Sequence, residues 1–249
     1  MGTYCRGLKP VNQDRYFMIK FSDVFNTEFL PTPPPLPFGF GQKVPVLGML
    51  GNDSVGNCVM AGANHEHQVT NAAAGHPVAF DTAHCKQDYF ALTGGTDSGL
   101  DIDAAAKWRI STGVQDATGK RHKVDTYIQL NHNDPIQLRA AIATFGAIGL
   151  GWDLSDDQEQ QFDSGKPWAL TSAKPNGWHY TACTDVNHDD MLVCITWGRL
   201  QGIMPSFLNA RCNAAVAYLN LDFLNKLNLT PQGYDAPRLR AMIAERQGQ

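Results

Sequence analysis

The sequence lacks the features that mark several classes of protein. No apolar run approaches the roughly 20 residues that cross a bilayer, so we expect no membrane span. Lys and Arg (20) do not outnumber Asp and Glu (24), and a nucleic-acid binder would need a basic surface. The first 21 residues contain no continuous apolar stretch ahead of a small-residue cleavage site. We therefore expect no signal peptide, and a cytoplasmic or virion-associated protein.

The cysteines also lack the spacing of a structural zinc site. None of the six stands in a C-x-x-C pair, and with no export signal, reduced thiols are the default. His65 and His67 flank Glu66, but two residues apart on a helix they diverge, so a solvated or satisfied pair is preferred to a metal site. Nothing in the sequence calls for a cofactor or a metal ion.

The 249 residues suffice for one large domain or two small lobes with a real core. Only 18% of them are charged, and 23 Gly and 14 Pro indicate a compact, loop-rich chain. Residues 1–30 show no clear periodicity. The proline-rich arm of residues 31–37 is expected to be extended, because each proline ring fixes φ.

Helices are predicted before strands. The Ala-rich stretch 58–74, which stops at Gly75, predicts a helix whose small residues allow close packing, and residues 101–112 and 134–145 carry good start signals. Four apolar or β-branched runs predict strands: 147–152, 178–186, 191–196 and 214–221. A terminal helix is expected over 236–246. Helices followed by strands indicate an α+β chain with two lobes.

Cys58 stands where a Gly/Asn-rich turn meets the first predicted helix. Unpaired N–H groups and the helix dipole stabilise an anion there, so we expect a lowered thiol pKa and a usable thiolate. His65 lies seven residues on, about 10.5 Å along the helix, and cannot serve as its base. His179 opens a distant apolar strand directly after a Pro-Asn-Gly turn, and it is the best candidate.

These motifs resemble those of the papain-like cysteine peptidases. Gly56-Asn57-Cys58 matches the family's Gly-x-Cys turn, and His179 followed by Trp197-Gly198 reproduces its spacing between a histidine and a Trp-Gly pair. The Gly-rich turn at 94–99 and the helix after it are also similar. The resemblance covers roughly residues 36–200 in the right order; each motif is weak alone, and the ordered set is moderately specific.

The resemblance implies a papain-like two-lobe fold, with a helical N-terminal lobe and an antiparallel, barrel-like β lobe. It also implies a division into an N-terminal extension (1–37), a papain-like domain (38–225) and a C-terminal helical tail (226–249). The helical lobe would span about 50–133 and the β lobe about 134–225. No helical pro-domain of the usual type fits into residues 1–35, so restraint of an enzyme would fall to the proline arm or the terminal helix.

Carried onto this chain, the resemblance implies that Cys58 is the nucleophile and His179 the general base and acid. The attack on a peptide or amide carbonyl would pass through an oxyanion to a thioester. The oxyanion would accept hydrogen bonds from the Cys58 backbone N–H and from Asn52, which stands where the family has glutamine. Losing such a donor typically costs ~10²–10³ in rate, so the shorter side chain matters.

A second departure from the family concerns the residue that orients the histidine. The family's asparagine falls at Ile195, which has no hydrogen-bonding side chain, and we expect the neighbouring Thr196 to point to the other face of its strand. A backbone carbonyl, a water, Asp153 or Asp185 would then orient His179. Val59 stands where the family usually has an aromatic residue.

Other interpretations of the same residues stay open. Cys58 could be a buried structural thiol, His179 a core histidine and Asn52 an ordinary turn residue. A papain-shaped protein that has lost catalysis and binds or builds a larger bacterial or phage assembly, or a homo-oligomer, is the main alternative. An acyltransferase would share the same Cys–His chemistry. An open groove with the Cys58 sulfur in hydrogen-bond reach of His179 would favour the enzyme; a groove filled by side chains or a chain terminus would favour the scaffold.

Overall fold

The computed structural model describes residues 4–10, 20–24, 32–224, 237 and 241. Its α-helices are α1 Phe21–Val24, α2 Cys58–Ala73, α3 Thr82–Thr93, α4 Ile102–Ser111, α5 Pro135–Phe145, α6 Asp156–Asp163 and α7 Pro205–Arg211. Its strands are β1 Phe38–Gly39, β2 Val114–Gln115, β3 Arg121–His122, β4 Val124–Gln129, β5 Ile148–Leu154, β6 Gly177–Val186, β7 Leu192–Thr196, β8 Arg199–Ile203 and β9 Cys212–Asn220. Short 3₁₀ helices cover Gly41–Lys43 and Leu221–Phe223.

The order of these elements confirms the predicted α+β architecture. Helices α2 to α4 precede a mostly antiparallel sheet in the order β4-β9-β5-β6-β7-β8, with β1 added to β6. The strands β2 and β3 form a separate small ribbon. Among the described residues, no helix is long and apolar enough to span a membrane.

The predicted caps account for the helix ends. The side chain of Asp101 accepts a bond from the backbone N–H of Ala104 at 3.0 Å, and that of Asp134 holds the first turn of α5. α5 ends at Gly146, whose φ of 82° is a left-handed conformation that glycine adopts without strain. The three helices predicted over 58–74, 101–112 and 134–145 are confirmed as α2, α4 and α5, to within a residue or two.

Two hydrophobic clusters lie on the two faces of the sheet. Along β9, Val216 and Tyr218 belong to the cluster shared with the helical half, whereas Ala215 and Ala217 belong to the cluster shared with α5. This alternation follows from the two-residue period of a strand. One sheet therefore separates the two halves of the core.

Helix α2 is the central element, because every residue from its start to Asn71 is buried. It packs on β6 at Gly62, where a Cβ atom would lie 2.5 Å from the ring of Tyr180. The prediction that small residues let this helix pack closely is confirmed. The contact also fixes the helix start relative to the first residues of β6, where the candidate site lies.

The structure describes only part of the segments predicted near the two ends of the chain. Most of the terminal helix expected over 236–246, and Pro31 of the arm, lie outside the described residues. Residues 32–37 of the arm are exposed or half-buried and lead into β1, which pairs with the end of β6. The division at residues 37, 133 and 225 remains a prediction.

Candidate active site

Cys58 is the first residue of α2 and is almost fully buried. The loop before it is held by Asn57, whose side-chain amide donates to the carbonyl of Leu50 at 2.8 Å. The Cys58 sulfur accepts a hydrogen bond from the backbone N–H of Gly7 at 3.4 Å, and the backbone N–H of Tyr180 also acts to lower the pKa of this thiol. The sulfur is therefore enclosed between the start of a helix, a strand and the N-terminal segment.

This enclosure reverses the expected electrostatics of the thiol. Burial raises the pKa of Cys58 to about 11, although the surrounding backbone N–H groups lower it. The prediction of a lowered pKa is wrong for this conformation, because the desolvation of a thiolate outweighs the helix terminus and the hydrogen bonds. At neutral pH, Cys58 is a thiol here.

His179 lies near the start of β6 and is also buried. Its Nε2 pairs with the hydroxyl of Thr196 at 2.7 Å, and its ring stacks on Trp197 with centroids 4.6 Å apart. Among the residues that the structure describes, none forms a hydrogen bond with its Nδ1, so the His179 ring and the Cys58 sulfur are not hydrogen-bonded to each other. Burial, helped by the positive charge of Arg6, lowers the pKa of His179 to about 3, so the ring is neutral.

Thr196 is the residue that orients His179, which corrects the sequence-based expectation. Ile195 packs instead in a cluster with Phe40, Val69 and Phe223. Neighbouring strand residues do face opposite ways, as expected. The side chain that meets His179 is that of Thr196, however, one residue after the position of the family's asparagine. Asp153 and Asp185 bind elsewhere: Asp153 to the amide of Asn213, and Asp185 to Thr184 and the backbone of Gly41.

Asn52 lies at the same site with its amide engaged. The Nδ2 of Asn52 donates to the backbone carbonyl of Cys5 at 2.9 Å, and the backbone carbonyl of Asn52 accepts from the backbone N–H of Cys5 at 2.9 Å. Asn52, Cys58, Thr196 and Trp197 line one small cavity of about 10 Å³. That is room for about one water, and no room for a substrate.

The N-terminal strap, residues 4–10, fills the cleft. Gly7 contacts the Cys58 sulfur, and the N–H of Leu8 donates to the carbonyl of Trp178 at 3.4 Å. On the other side, Leu100 accepts a bond from the N–H of Lys9 and donates to the carbonyl of Gly7. The strap is thus hydrogen-bonded to β6 on one side and to Leu100, just before α4, on the other, as an added strand would be.

Glycines allow this close fit. A Cβ atom on Gly7 would lie 1.7 Å from the carbonyl oxygen of Gly56, and one on Gly99 would lie 2.4 Å from the carbonyl oxygen of Gly7. Both obstacles are backbone atoms, which cannot rotate away. The strap was not predicted, and any restraint was assigned to the proline arm or the terminal helix, because residues 1–30 carry no periodic pattern that would have indicated it.

A buried ion pair supports the helix that carries Cys58. Glu66 of α2 accepts from Arg109 at 2.6 Å and from the hydroxyl of Tyr180 at 2.7 Å, and the Arg109 guanidinium lies 3.7 Å from the ring centre of Tyr218. These contacts indicate a structural role for Glu66. The pair links α2, α4 and the sheet.

A group of residues at the other end of α2 has metal-ligating side chains. Among the residues that the structure describes, His67, His122 and Asp222 bring one ligand atom each to within 4.8 Å of one another. His122 pairs with Asp222 at 2.6 Å and with Asp116 at 3.0 Å. Although burial opposes it, these two carboxylates raise the pKa of His122, and the group is an ion-pair network as it stands.

A larger cavity of about 370 Å³ lies away from the candidate site. It is bounded by Ile102, Leu130, Gln137 and Ala214, among others, and includes neither Cys58 nor His179. The candidate catalytic residues therefore lie at the strap-filled cleft rather than at this cavity, whose lining includes Lys20, His132 and Gln137.

Comparisons with known proteins place this geometry in a structural context. No protein-family model matches the sequence, and no curated protein matches it. Solved structures do match: xylellain, a cysteine protease from Xylella fastidiosa, has a TM-score of 0.60 at 12% identity, covering 88% of this chain and 97% of xylellain. A procathepsin B from Trypanosoma congolense has a TM-score of 0.62 at 10% identity, covering 87% and 86%.

A third match is a digestive procathepsin L2 from the larval midgut of Tenebrio molitor, with a TM-score of 0.63 at 14% identity, covering 87% of this chain and 78% of that one. At identities this low, the likeness concerns the fold. The chain has the papain-like fold, as its motifs led us to expect.

Proposed function

We propose that this protein is a papain-like thiol hydrolase, a peptidase or amidase, with Cys58 as its nucleophile and His179 as its general base and acid. The observation that carries the proposal is the unit formed by His179, Thr196 and Trp197. Thr196 and Trp197 line one small cavity together with Cys58, at the start of the central helix.

The tautomer of His179 fits the role of a base. If Nε2–H donates to the hydroxyl of Thr196, the lone pair of Nδ1 is free to accept a proton. Nδ1 is buried and unpaired within the part of the chain that the structure describes, which is costly unless it has a partner in another state of the protein. In our proposal that partner is the Cys58 thiol.

The proposed reaction follows from these positions. Nδ1 takes the proton of Cys58, and the sulfur attacks the carbonyl carbon of a peptide or amide. The carbonyl oxygen becomes an oxyanion near the side-chain amide of Asn52 and the Cys58 backbone N–H. His179 returns the proton to the leaving amine, a thioester forms, and water activated by His179 then releases the acid.

The strap must leave before any of this happens. It occupies the cleft, takes up the amide of Asn52, and keeps both Cys58 and His179 neutral by excluding water. It presents an N–H group to the sulfur, whereas attack requires a carbonyl carbon. We therefore assign the described conformation to a closed form of the enzyme.

The test is turnover of fluorogenic peptide amides by an opened variant. Gly7→Val removes the close fit of the strap, and we expect this variant to hydrolyse peptides. Further substitution with Cys58→Ala or His179→Ala should abolish turnover. Cys85→Ala, at another buried cysteine, is the matched control and should not. Equal turnover in the Cys58 and control variants would refute the proposal.

Among the described residues the strap fills the cleft and no hydrogen bond joins Cys58 to His179, which is the arrangement expected of a catalytically lapsed, papain-shaped binding protein; this is the second candidate. Its prediction differs: Gly7→Val would free the cleft without producing turnover. An acyltransferase would consume the same thioester with an added amine rather than water, so amide product in the presence of that amine would identify it.

A further inference from the structure

Two large side chains of the strap, Tyr4 and Arg6, each lie in a pocket at the side of the cleft formed by α6 and the sheet. We call these two pockets the seat of Tyr4 and the seat of Arg6. Tyr4 and Arg6 are two residues apart, so in an extended segment they project to the same side. Gly7, next to Arg6, contacts the Cys58 sulfur. The strap residues in these seats are therefore one and three positions before the residue that contacts the candidate nucleophile. A bound peptide would occupy the same place.

The seat of Arg6 is polar and formed by several elements. Glu159 pairs with the guanidinium at 2.6 Å and Asp156 at 3.3 Å, both from α6. The carbonyls of Ser155 and Leu154 accept at 3.1 and 3.5 Å, and the side chain of Asn176 accepts another bond. The Arg6 side chain is only 10% exposed.

This seat matches the shape and charge of a guanidinium. Arginine offers five N–H donors in a planar fork. Here the carboxylates, the carbonyls and Asn176 accept from the two terminal nitrogens of Arg6, whereas Nε makes no hydrogen bond to a described residue. Gly177 completes the seat, because a Cβ atom there would lie 2.9 Å from Cδ of Arg6. The stem of the arginine thus passes over a position that has no side chain.

The seat of Tyr4 is aromatic. The ring stacks on Trp197, with centroids 4.6 Å apart, and meets Phe162 edge-on at 5.4 Å. Its hydroxyl donates to Asp163 at the end of α6. Trp197 is the same ring that stacks on His179, so this seat adjoins the candidate base directly.

We infer that these two seats are substrate subsites: the seat formed by Asp156, Glu159 and Asn176 takes a guanidinium side chain, and the seat formed by Phe162 and Trp197 takes an aromatic ring. The inference rests on the proposed function in one respect, because it treats the strap as the occupant of a substrate groove. The enzyme therefore selects peptides that carry an arginine and an aromatic residue two positions apart.

Binding to a catalytically inert chain tests the inference apart from catalysis. The protein is the full chain with Cys58→Ala and Gly7→Val, and the probe is the labelled peptide acetyl-Tyr-Ser-Arg-Gly-Leu-Lys-amide, which follows the strap. A second peptide has citrulline in place of arginine, with nearly the same size and no charge. We expect fluorescence anisotropy to give at least a tenfold weaker dissociation constant for the citrulline peptide.

Variants of the protein locate the effect. Glu159→Gln should weaken the arginine peptide severalfold and leave the citrulline peptide unchanged. Asp157→Asn, on the same turn of α6 with no contact to Arg6, is the matched control and should change neither. Gly177→Val should weaken both peptides, because it fills the space under the side chain.

Opening of the cleft is established first, by alkylation of Cys58 in the Gly7→Val chain that retains the thiol. If that chain stays closed, Arg6→Glu is added, since it places a third carboxylate beside Asp156 and Glu159. In an open chain, equal dissociation constants for the two peptides, or no binding of either, would overturn the inference. Absence of turnover with discrimination intact would instead count against the proposed hydrolase alone.

Discussion

Substitution of Gly7 by valine should unmask the reactivity of Cys58. The new Cβ atom would lie 1.7 Å from the carbonyl oxygen of Gly56, about half an ordinary contact distance, and neither backbone can rotate away. The strap would have to withdraw and lose six hydrogen bonds of its backbone: four that connect residues 7–9 to Cys58, Trp178 and Leu100, and two between Cys5 and Asn52. At about 0.5–1.5 kcal/mol each, these bonds amount to roughly 3–9 kcal/mol of net stabilisation.

The size of the effect follows from the pKa of the thiol. Burial raises the pKa of Cys58 to about 11, and exposure to water would return it toward ~8.5. At pH 7.5 the thiolate fraction then rises roughly 300-fold, and the lower intrinsic nucleophilicity of a less basic thiolate offsets roughly tenfold of that. We expect alkylation by iodoacetamide to be about 30-fold faster, before any gain from steric access.

Site-resolved mass spectrometry gives the rate at Cys58 separately from the other five cysteines. Lys9→Val is the matched control, since that side chain is exposed and the substitution leaves the strap backbone in place. The reasoning would be refuted if Cys58 reacted equally fast in the two variants, or if its rate in the Gly7 variant still rose only near pH 11.

Three further predictions concern single interactions. In the opened chain, Thr196→Val should lower kcat about tenfold with KM unchanged, because it removes the bond to Nε2 of His179, and Thr196→Ser should restore it; equal kcat for both would contradict this. Arg109→Leu should cost about 3–5 kcal/mol in urea unfolding by leaving Glu66 buried and unpaired, whereas Lys107→Leu at the exposed pair on the same helix should barely move the midpoint. His122→Gln should destabilise the chain more at pH 5 than at pH 9, because a folded-state pKa above 6.5 gives stability that is present below pH 6.5 and lost as the pH rises through the folded value; a loss independent of pH would be the contrary result.

Patterns within short stretches of sequence predicted the helix that carries Cys58 and the strand that carries His179. The helix from Cys58 to Gly75 and the strand that begins near His179 follow from turn residues, caps and periodicity, and the structure has both. Helix α3 was missed although the sequence carries its signals: Asp81 caps its start, Gly94 caps its end, and Cys85, Tyr89 and Leu92 form a short apolar stripe that packs in the core.

What the sequence could not supply was register and long-range packing. Whether Ile195 or Thr196 meets His179 depends on how strands pair across a bulge near Cys183, and a one-residue shift moves a side chain to the other face. The strap is held by backbone bonds and by contacts with residues far away in the chain, such as Arg6 with Asn176 and Tyr4 with Trp197. Such contacts leave no pattern in the residues that make them, and the burial that raises the pKa of Cys58 has the same origin.

Trapping of the acyl-enzyme tests the central claim most directly. The Gly7→Val chain would be mixed with a peptide p-nitrophenyl ester, quenched in acid and digested, and the acyl group located by mass spectrometry. We predict a thioester on the peptide that contains Cys58, absent in Cys58→Ala and reduced in His179→Ala. An acyl group on another cysteine, or none on a Cys58 that alkylates freely, would contradict the assignment of Cys58 as the nucleophile.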